Sequence, residues 1–458
     1  MSERKSTEGQ EQRKSVARVV SPARLSAFNI LRRVEEDGAF ASLLLAASED
    51  ELSAQDRALC YELVQGTLRW QLWLDHLIAH YAGRKAESLD LPVRTALRLG
   101  LYQLRVLSRI PASAAVNESV NLVRLARLRS AAALVNAVLR RATREPQYNP
   151  AAQIKDPLQR ISIETSHPLW LIERWTRAFG LEEAEGFARA NNQSPPTAFR
   201  LVQTETGEPY ALEALRAEGG LLEPSEITPD AWRIQGAGAL LRKMAREGRI
   251  YLQDEASQLV AQVLDARAGE RVLDTCAAPG SKTTQIATRT RDLKLIVAGD
   301  IYEHRLRTVI ESSELQKADK VRTVALDAEV TLPFAQGSFE RVLVDAPCTG
   351  TGTLRRNPEI RWRISQSDIA DLSARQKRII FNASGMVRPG GRLVYSTCSV
   401  EPEENEEVVA AFLRGDADFK LVHAPVAGRL LQPDGTARSW PHRDGTDGFF
   451  IAAFERRN

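Results

Sequence analysis

The sequence predicts an α/β protein in which an all-helical segment and a small α+β region precede a doubly wound, mostly parallel sheet. Three observations predict it. Apolar residues recur at three- and four-residue spacing from Ser21 to Arg144 with no strand signal; from Gly248 onward short apolar strands alternate with helical stretches; and five of those strands carry an Asp or a Cys at their carboxyl ends. A chain of 458 residues is longer than one hydrophobic core usually organises, so separate domains are expected.

The elements follow in order. Residues 1–20 mix Ser2, Glu3, Arg4, Lys5, Glu8, Glu11, Arg13 and Lys14 with no apolar block, which reads as the disordered, solvated tail of a cytoplasmic protein and not as a signal peptide. Residues 21–145 form a helical domain. Ser21-Pro22 offers an N-cap followed by Pro at the first helical position, Ala23, Ala27, Ile30, Leu31 and Val34 share a face, and segments 54–82, 90–108, 113–127 and 130–143 continue the pattern. The linker 146–159 opens on the aperiodic, proline-bearing run Glu145-Pro-Gln-Tyr-Asn-Pro150. Residues 160–247 read as a small α+β region, with helices near Pro168–Phe179 and 181–192 and a strand over Thr197–Val202. The sheet occupies 248–458.

Hydrophobic residues at 43% and charged residues at 26% match an average soluble protein, and no apolar run is long enough to span a bilayer. Net charge is only +3, yet residues 1–150 hold 22 Lys and Arg against 16 Asp and Glu, leaving −3 for the remainder. The stretch 91–145 contains ten Arg, among them Arg124, Arg127, Arg129, Arg140, Arg141 and Arg144, against Glu118 and Glu145. That bias suits phosphates and equally suits a solvated helix face. The four cysteines, Cys60, Cys276, Cys348 and Cys398, are too scattered for a disulfide framework or a zinc cluster, and the six histidines show no ligand spacing, so no metal is implied.

In an open parallel sheet a ligand lies outside the carboxyl ends of the strands. The strands Arg271–Cys276, Leu295–Asp300, Val321–Asp327, Arg341–Asp345 and Arg392–Cys398 therefore bring Asp274, Asp300, Asp327, Asp345 and Cys398 to one crevice. The first runs into Cys276-Ala277-Ala278-Pro279-Gly280-Ser281-Lys282, a Gly-containing turn ahead of a helix, where backbone can approach a ligand. It has neither the second Gly of a P-loop nor the Gly-x-Gly-x-x-Gly of a dinucleotide fold. Asp300 is placed to accept the hydroxyls of an adenosine ribose and Asp327 to lie near its base. A single Asp at a strand end is more often an Asx turn or an N-cap; several at successive strand ends favour a nucleoside site.

Residues 248–455 resemble the RNA cytosine-C5 methyltransferases through four motifs in order: Asp274-Thr-Cys-Ala-Ala-Pro-Gly-Ser-Lys282, Asp345-Ala-Pro-Cys-Thr-Gly-Thr-Gly352, Ser396-Thr-Cys-Ser399 followed by Glu403-Glu-Asn-Glu406, and Asp447-Gly-Phe-Phe-Ile451. Ser281 departs from the pattern, standing where the family usually has Gly. The resemblance implies a Rossmann-like class I methyltransferase fold, S-adenosyl-L-methionine as cofactor held by residues 276–282, Asp300, Asp327 and Asp345, and catalysis by Cys398, Cys348 and Asp345. Carbon 5 of cytosine is too weak a nucleophile to accept a methyl group unaided, and a thiolate adding to carbon 6 converts the ring to an enamine that can. The resemblance assigns that thiolate to Cys398, a hydrogen bond or proton for N3 to Asp345, and help in the final elimination to Cys348. Cys348 competes for the nucleophilic role, because DNA cytosine methyltransferases carry theirs in a Pro-Cys pair like Pro347-Cys348; the Thr397-Cys398 motif favours Cys398. Cys60 reads as structural, and Cys276 as packed behind the cofactor loop.

After the Pro-Cys motif, Leu354-Arg-Arg-Asn-Pro-Glu-Ile-Arg-Trp-Arg363 offers Arg355, Arg356, Arg361 and Trp362 for phosphate contact and base stacking, or else forms an Arg-rich surface loop. The helical domain resembles the antitermination factor NusB, most plainly at Asn136-Ala-Val-Leu-Arg-Arg141, which makes Arg140 and Arg141 candidate RNA contacts. The fused arrangement is that of the bacterial small-subunit rRNA cytosine methyltransferases of the Sun or Fmu family, and it implies 16S rRNA as substrate and a monomer without a membrane partner. Two other readings stand beside it: the same chemistry on tRNA or 23S rRNA, and a non-catalytic ribosome-assembly or antitermination factor that only binds RNA.

Overall fold

Pro22 opens the first helix, Pro22–Glu36, where its missing N–H has no intrahelical acceptor to lose. Ser21 does not cap that helix with its side chain. Its backbone N–H and its hydroxyl both donate to Glu118, at 2.8 and 2.9 Å. This computed structural model describes residues 20–48, 51–202 and 208–458; the expected tail over 1–20 lies outside the described residues except for Val20. Two units emerge, one holding the chain up to Gln193 together with Leu354–Arg363, the other holding Ser194–Thr353 and Ile364–Asn458.

The first unit is helical. After Pro22–Glu36 come Ala41–Ala47, Ala54–Arg69, Gln71–Ala82, Leu91–Arg105, Ala112–Leu125 and Ala132–Arg144, then Pro157–Thr165, Leu169–Phe179 and Leu181–Ala190. The periodic segment 54–82 is two helices, broken at Trp70, whose φ of −101° and ψ of 16° leave the helical range. The core is aliphatic, with Leu63, Leu74, Leu77, Leu97, Leu99, Leu101 and Leu139 all fully buried. Burial of such side chains stabilises by roughly 1.5–3 kcal/mol each.

In the second unit a four-stranded antiparallel sheet comes first: β1 (Thr197–Leu201), β2 (Leu221–Pro224), β3 (Ala231–Gln235) and β4 (Ile250–Leu252), in the order β2-β3-β1-β4. The boundary between the units, at 193/194, therefore falls inside the segment 160–247. The main sheet comprises β5 (Arg271–Asp274), β6 (Leu295–Asp300), β7 (Val321–Ala325), β8 (Phe339–Asp345), β9 (Val387–Thr397), β10 (Phe419–Val422), β11 (Ala437–Ser439) and β12 (Phe449–Arg456). Its order is β10-β12-β9-β8-β5-β6-β7, with β11 on β12. The five strands from β9 to β7 are parallel, and β12 and β10 close one edge antiparallel.

The doubly wound sheet of the sequence reading is thus present. From β5 the chain steps outward to β6 and β7, then returns to β8 on the other side of β5. That reversal opens a crevice at the carboxyl ends of β5 and β8, where ligands of such sheets bind. Arg200 on β1 ties the small sheet to the helix after β5. Its buried guanidinium donates to Gln253 and Gln316, and to Thr284 at 3.1 Å.

Candidate active site

Asp274, Asp300 and Asp345 are the last residues of β5, β6 and β8, and Asp327 lies two residues beyond β7. Between β5 and the helix Ser281–Arg289, Gly280 takes a φ of 103°, which an L side chain resists. Ser281 is the first helical residue, where a Gly is not needed, so the departure from the family pattern leaves the turn intact.

Lys282 projects from that helix and is buried. Its Nζ donates to Asp345 Oδ2 at 2.6 Å and lies 5.3 Å from the Phe449 ring centroid. Burial, the largest single influence, lowers the lysine pKa; the charge and hydrogen bond of Asp345, with Cys398 and Asp274 beyond it, together outweigh it, so the net shift is upward and Lys282 stays cationic. The second oxygen of Asp345 accepts from Ser396 Oγ at 2.7 Å. Asp274 is buried and accepts from Thr283 Oγ1 at 2.7 Å; desolvation pushes its pKa up to about 7, against that hydrogen bond. Asp300 is buried, accepts from the Tyr302 N–H at 2.9 Å and has Arg305 at 3.4 Å. Half-buried Asp327 accepts from the Glu329 N–H at 2.8 Å. Both strand-end turns leave carboxylate lone pairs over for a ligand.

The two motif cysteines meet. Cys398 follows the last residue of β9, Cys348 lies three residues past β8, and their sulfurs are 3.4 Å apart. The hydrogen bond with Cys398, then burial, hold the Cys348 thiol well above its ordinary pKa. Cys276 is also pushed up, to about 12, by burial, and Cys60 is raised by burial within the helical unit. Among the described residues neither is hydrogen-bonded to another cysteine.

Backbone contacts lock three motifs together. The Gly352 N–H donates to the Cys398 carbonyl at 2.9 Å, and the Gly448 N–H donates to the Gly352 carbonyl at 2.8 Å. A Cβ on Gly352 would fall 2.0 Å from the Gly448 oxygen, so no side chain fits there. The terminal Asp447–Ile451 motif thereby belongs to the site, although its strand, β12, carries no alternation that would reveal it.

The arginine-rich segment requires a correction. Arg361, expected to contact RNA, is fully buried in the helical unit, where its guanidinium donates to the carbonyls of Arg69 and Ser166 and to Asn192 Oδ1, at 3.4, 3.1 and 3.1 Å. Desolvation, and then the cation of Arg69, lower its pKa well below the ordinary value. Arg355 is buried too, Trp362 Nε1 donates to the Leu68 carbonyl at 2.9 Å, and Arg363 donates to the Val34 carbonyl at 2.9 Å. Half-buried Arg356 also has a partner. The segment is an internal strut, neither a phosphate-binding loop nor a surface one. Of the arginines in 91–145, Arg98 is held by Asp75 and Glu35, Arg94 by Glu35, Arg105 by the Tyr148 carbonyl and Arg141 by Glu145 and the His80 carbonyl. Arg109, Arg124, Arg127, Arg129, Arg140 and Arg144 are exposed.

Glu404 stands inside the Glu403–Glu406 motif, and its residue type and spacing alone assign it no role. It is fully buried against the residues that follow both cysteines. Nothing in the local pattern Pro402-Glu-Glu-Asn405 distinguishes a buried carboxylate from a solvated one.

Three family models match successive parts of the chain: the NusB family over residues 21–144, the ferredoxin-like domain of RsmF/B-like methyltransferases over 167–240, and the 16S rRNA methyltransferase RsmB/F over 261–455. The chain is 34% identical over 441 residues to a probable ribosomal RNA small subunit methyltransferase B of Bacillus subtilis, covering 94% of this chain and 98% of that protein. It is 35% identical over 437 residues to the ribosomal RNA small subunit methyltransferase B of Pseudomonas putida, covering 94% and 97%. A solved structure described as PH0851 superposes with a TM-score of 0.82 at 28% identity, covering 95% of this chain and 99% of its own.

Proposed function

The chain belongs to the RsmB/F family of 16S rRNA methyltransferases, and from that premise we propose that it methylates carbon 5 of a cytosine in 16S rRNA through a covalent bond from Cys398 to carbon 6. The observation that carries this reading is the meeting of Cys398 and Cys348, sulfurs 3.4 Å apart, beside an Asp345 already bonded to Lys282 and Ser396.

The crevice fits S-adenosylmethionine by the chemistry of its donors. Residues 276–282 offer backbone at a turn, Asp300 and Asp327 offer carboxylates suited to ribose hydroxyls and the base, and Asp345 offers negative charge suited to a sulfonium. When bound, the cofactor supplies an electrophilic methyl group. The protein does the rest. Cys398 thiolate forms the bond to C6, and the ring electrons displaced toward N3 take up a proton that the Asp345 carboxylate relays from Lys282 Nζ. Once Cys398 is bonded to carbon, Cys348 gives up its own proton to solvent. When C5 carries its methyl group, the Cys348 thiolate takes the C5 proton and the C5–H electron pair forms the C5–C6 double bond. The C6–sulfur bond breaks with its pair on Cys398, and the N3 proton returns by way of Asp345 to Lys282. The timing follows from charge: while Cys398 is a free sulfur its hydrogen bond holds the Cys348 proton, and bonding to carbon removes that hold.

Residues 21–145 we assign to RNA binding, through exposed cations such as Arg124 and Arg140. Methyl transfer from labelled cofactor to naked 16S rRNA and to assembling small subunits, with base-resolved mapping, tests the proposal. A 5-methylcytosine is expected; label on any other atom, or on no RNA, overturns it.

A further inference from the structure

Glu404 is a carboxylate with no side-chain exposure and, among the described residues, no cationic partner. Burying a charge without a counter-ion is costly unless hydrogen bonds replace its hydration. Four donors do so. Oε1 accepts from the Thr349 N–H and from Gln376 Nε2, both at 2.9 Å, while Oε2 accepts from Thr349 Oγ1 at 2.5 Å and from Ser399 Oγ.

The identity of these donors matters more than their number. Thr349 follows Cys348, and Ser399 follows Cys398. On the other side of each cysteine the same cluster takes hold again: Gln376 Nε2 donates to the Pro347 carbonyl at 2.8 Å, and Thr397 Oγ1 donates to Asn405 Oδ1 at 2.6 Å. Asn405 in turn donates to the Ser399 carbonyl at 2.9 Å, and Tyr395 OH to the Glu404 carbonyl at 2.6 Å. Each cysteine is thus gripped through both of its chain neighbours, and one carboxylate is common to both grips.

We infer that Glu404 is a positioning residue that sets the separation of the two reacting sulfurs and helps keep the Cys348 proton in place until Cys398 has bonded to the base. This rests on the reading of Cys398 and Cys348 as the reacting thiols. Glu404 touches neither sulfur, so its effect passes through Thr349 and Ser399; its negative charge also adds to the causes that raise the Cys348 thiol. An ångström of misplacement between reacting groups costs on the order of 10²-fold in rate.

The experiment compares full-length Glu404→Ala and Glu404→Gln with the native chain in three measurements: equilibrium binding of S-adenosylmethionine, kcat and KM on RNA, and the rates at which iodoacetamide alkylates Cys348 and Cys398, resolved by peptide mass. Glu404→Ala is expected to bind cofactor within about threefold of native, lose about 100-fold in kcat with little change in KM, and expose Cys348 to alkylation about tenfold faster. Glu404→Gln, which keeps the shape and one acceptor, should recover most of kcat. The inference is overturned if Glu404→Ala keeps kcat within threefold, if its cofactor binding falls in step with kcat, or if Glu404→Gln is no better than Glu404→Ala. A native protein that methylates no cytosine would sink the proposed function instead, and the alkylation rates would still decide whether Glu404 holds the two thiols.

Discussion

Asp345–Thr353 and Leu354–Arg363 are separated by a single peptide bond and belong to different units. The first turns its polar groups toward chemistry: Asp345 holds Lys282, Cys348 meets Cys398, and Thr349 reaches Glu404. The second spends its polar groups on structure, with Arg361 bonded to backbone oxygens and Trp362 to the Leu68 carbonyl. Both looked functional in the sequence. The difference lies in what supported each reading: the first rested on a family motif that begins at a strand end, Asp345, and the second on composition, four arginines and a tryptophan in ten residues, together with its place next to that motif in the chain. Position in a sheet constrains where a side chain can point, whereas a guanidinium satisfies itself as readily on carbonyls as on phosphates.

The largest effect expected lies on the first stretch and its partner. Cys398→Ala should reduce methyl transfer by about 10⁴-fold or more, while Cys348→Ala should accumulate a protein–RNA adduct that survives denaturing electrophoresis. The reverse pattern would move the nucleophile to Cys348. Next comes the second stretch. Arg361→Met strands the carbonyls of Arg69 and Ser166 in the interior and should cost about 3 kcal/mol, read as a lower denaturant midpoint, with no loss of RNA affinity among folded molecules. A lower RNA affinity at an unchanged midpoint would return Arg361 to the RNA-binding set. Its counterpart is exposed Arg140, whose replacement by Ala should leave the midpoint alone and reduce the slope of log affinity against log salt by about 1.

The smallest effect concerns pH. Because the folded-state pKa of Asp274 is raised to about 7, the stability its neutral form contributes is fully present below the ordinary carboxylate value and is lost as pH rises through about 7. Asp274→Asn should therefore flatten the fall of melting temperature between about pH 4 and 7. An unchanged profile would mean that Asp274 is already ionised in the fold.

Much of the sheet was legible because a buried parallel strand is a short apolar run with an abrupt polar end: β6 is Leu295–Asp300 in the sequence reading and in the structure. Cys398 was legible for the same reason, following the strand residue Thr397. The break at Trp70 was not, since periodicity continues through it on both sides. β12 was missed as a strand because Phe449 to Phe454 are all buried and show no period of two. Glu404 was missed because its partners lie up to 55 residues away in the chain, at Thr349. Arg361 misled for a related reason, its acceptors lying up to 292 residues away, at Arg69.

That strut bears on the order in which the protein is made. The helical unit leaves the ribosome first, and N-terminal domains generally fold as they emerge. Yet ten of its residues are translated only after β8, so the carbonyls of Arg69 and Ser166 wait for Arg361 while nearly 170 further residues are added beyond Gln193. Completion of the helical unit is a late event in synthesis, tied to the same stretch of translation that delivers Cys348.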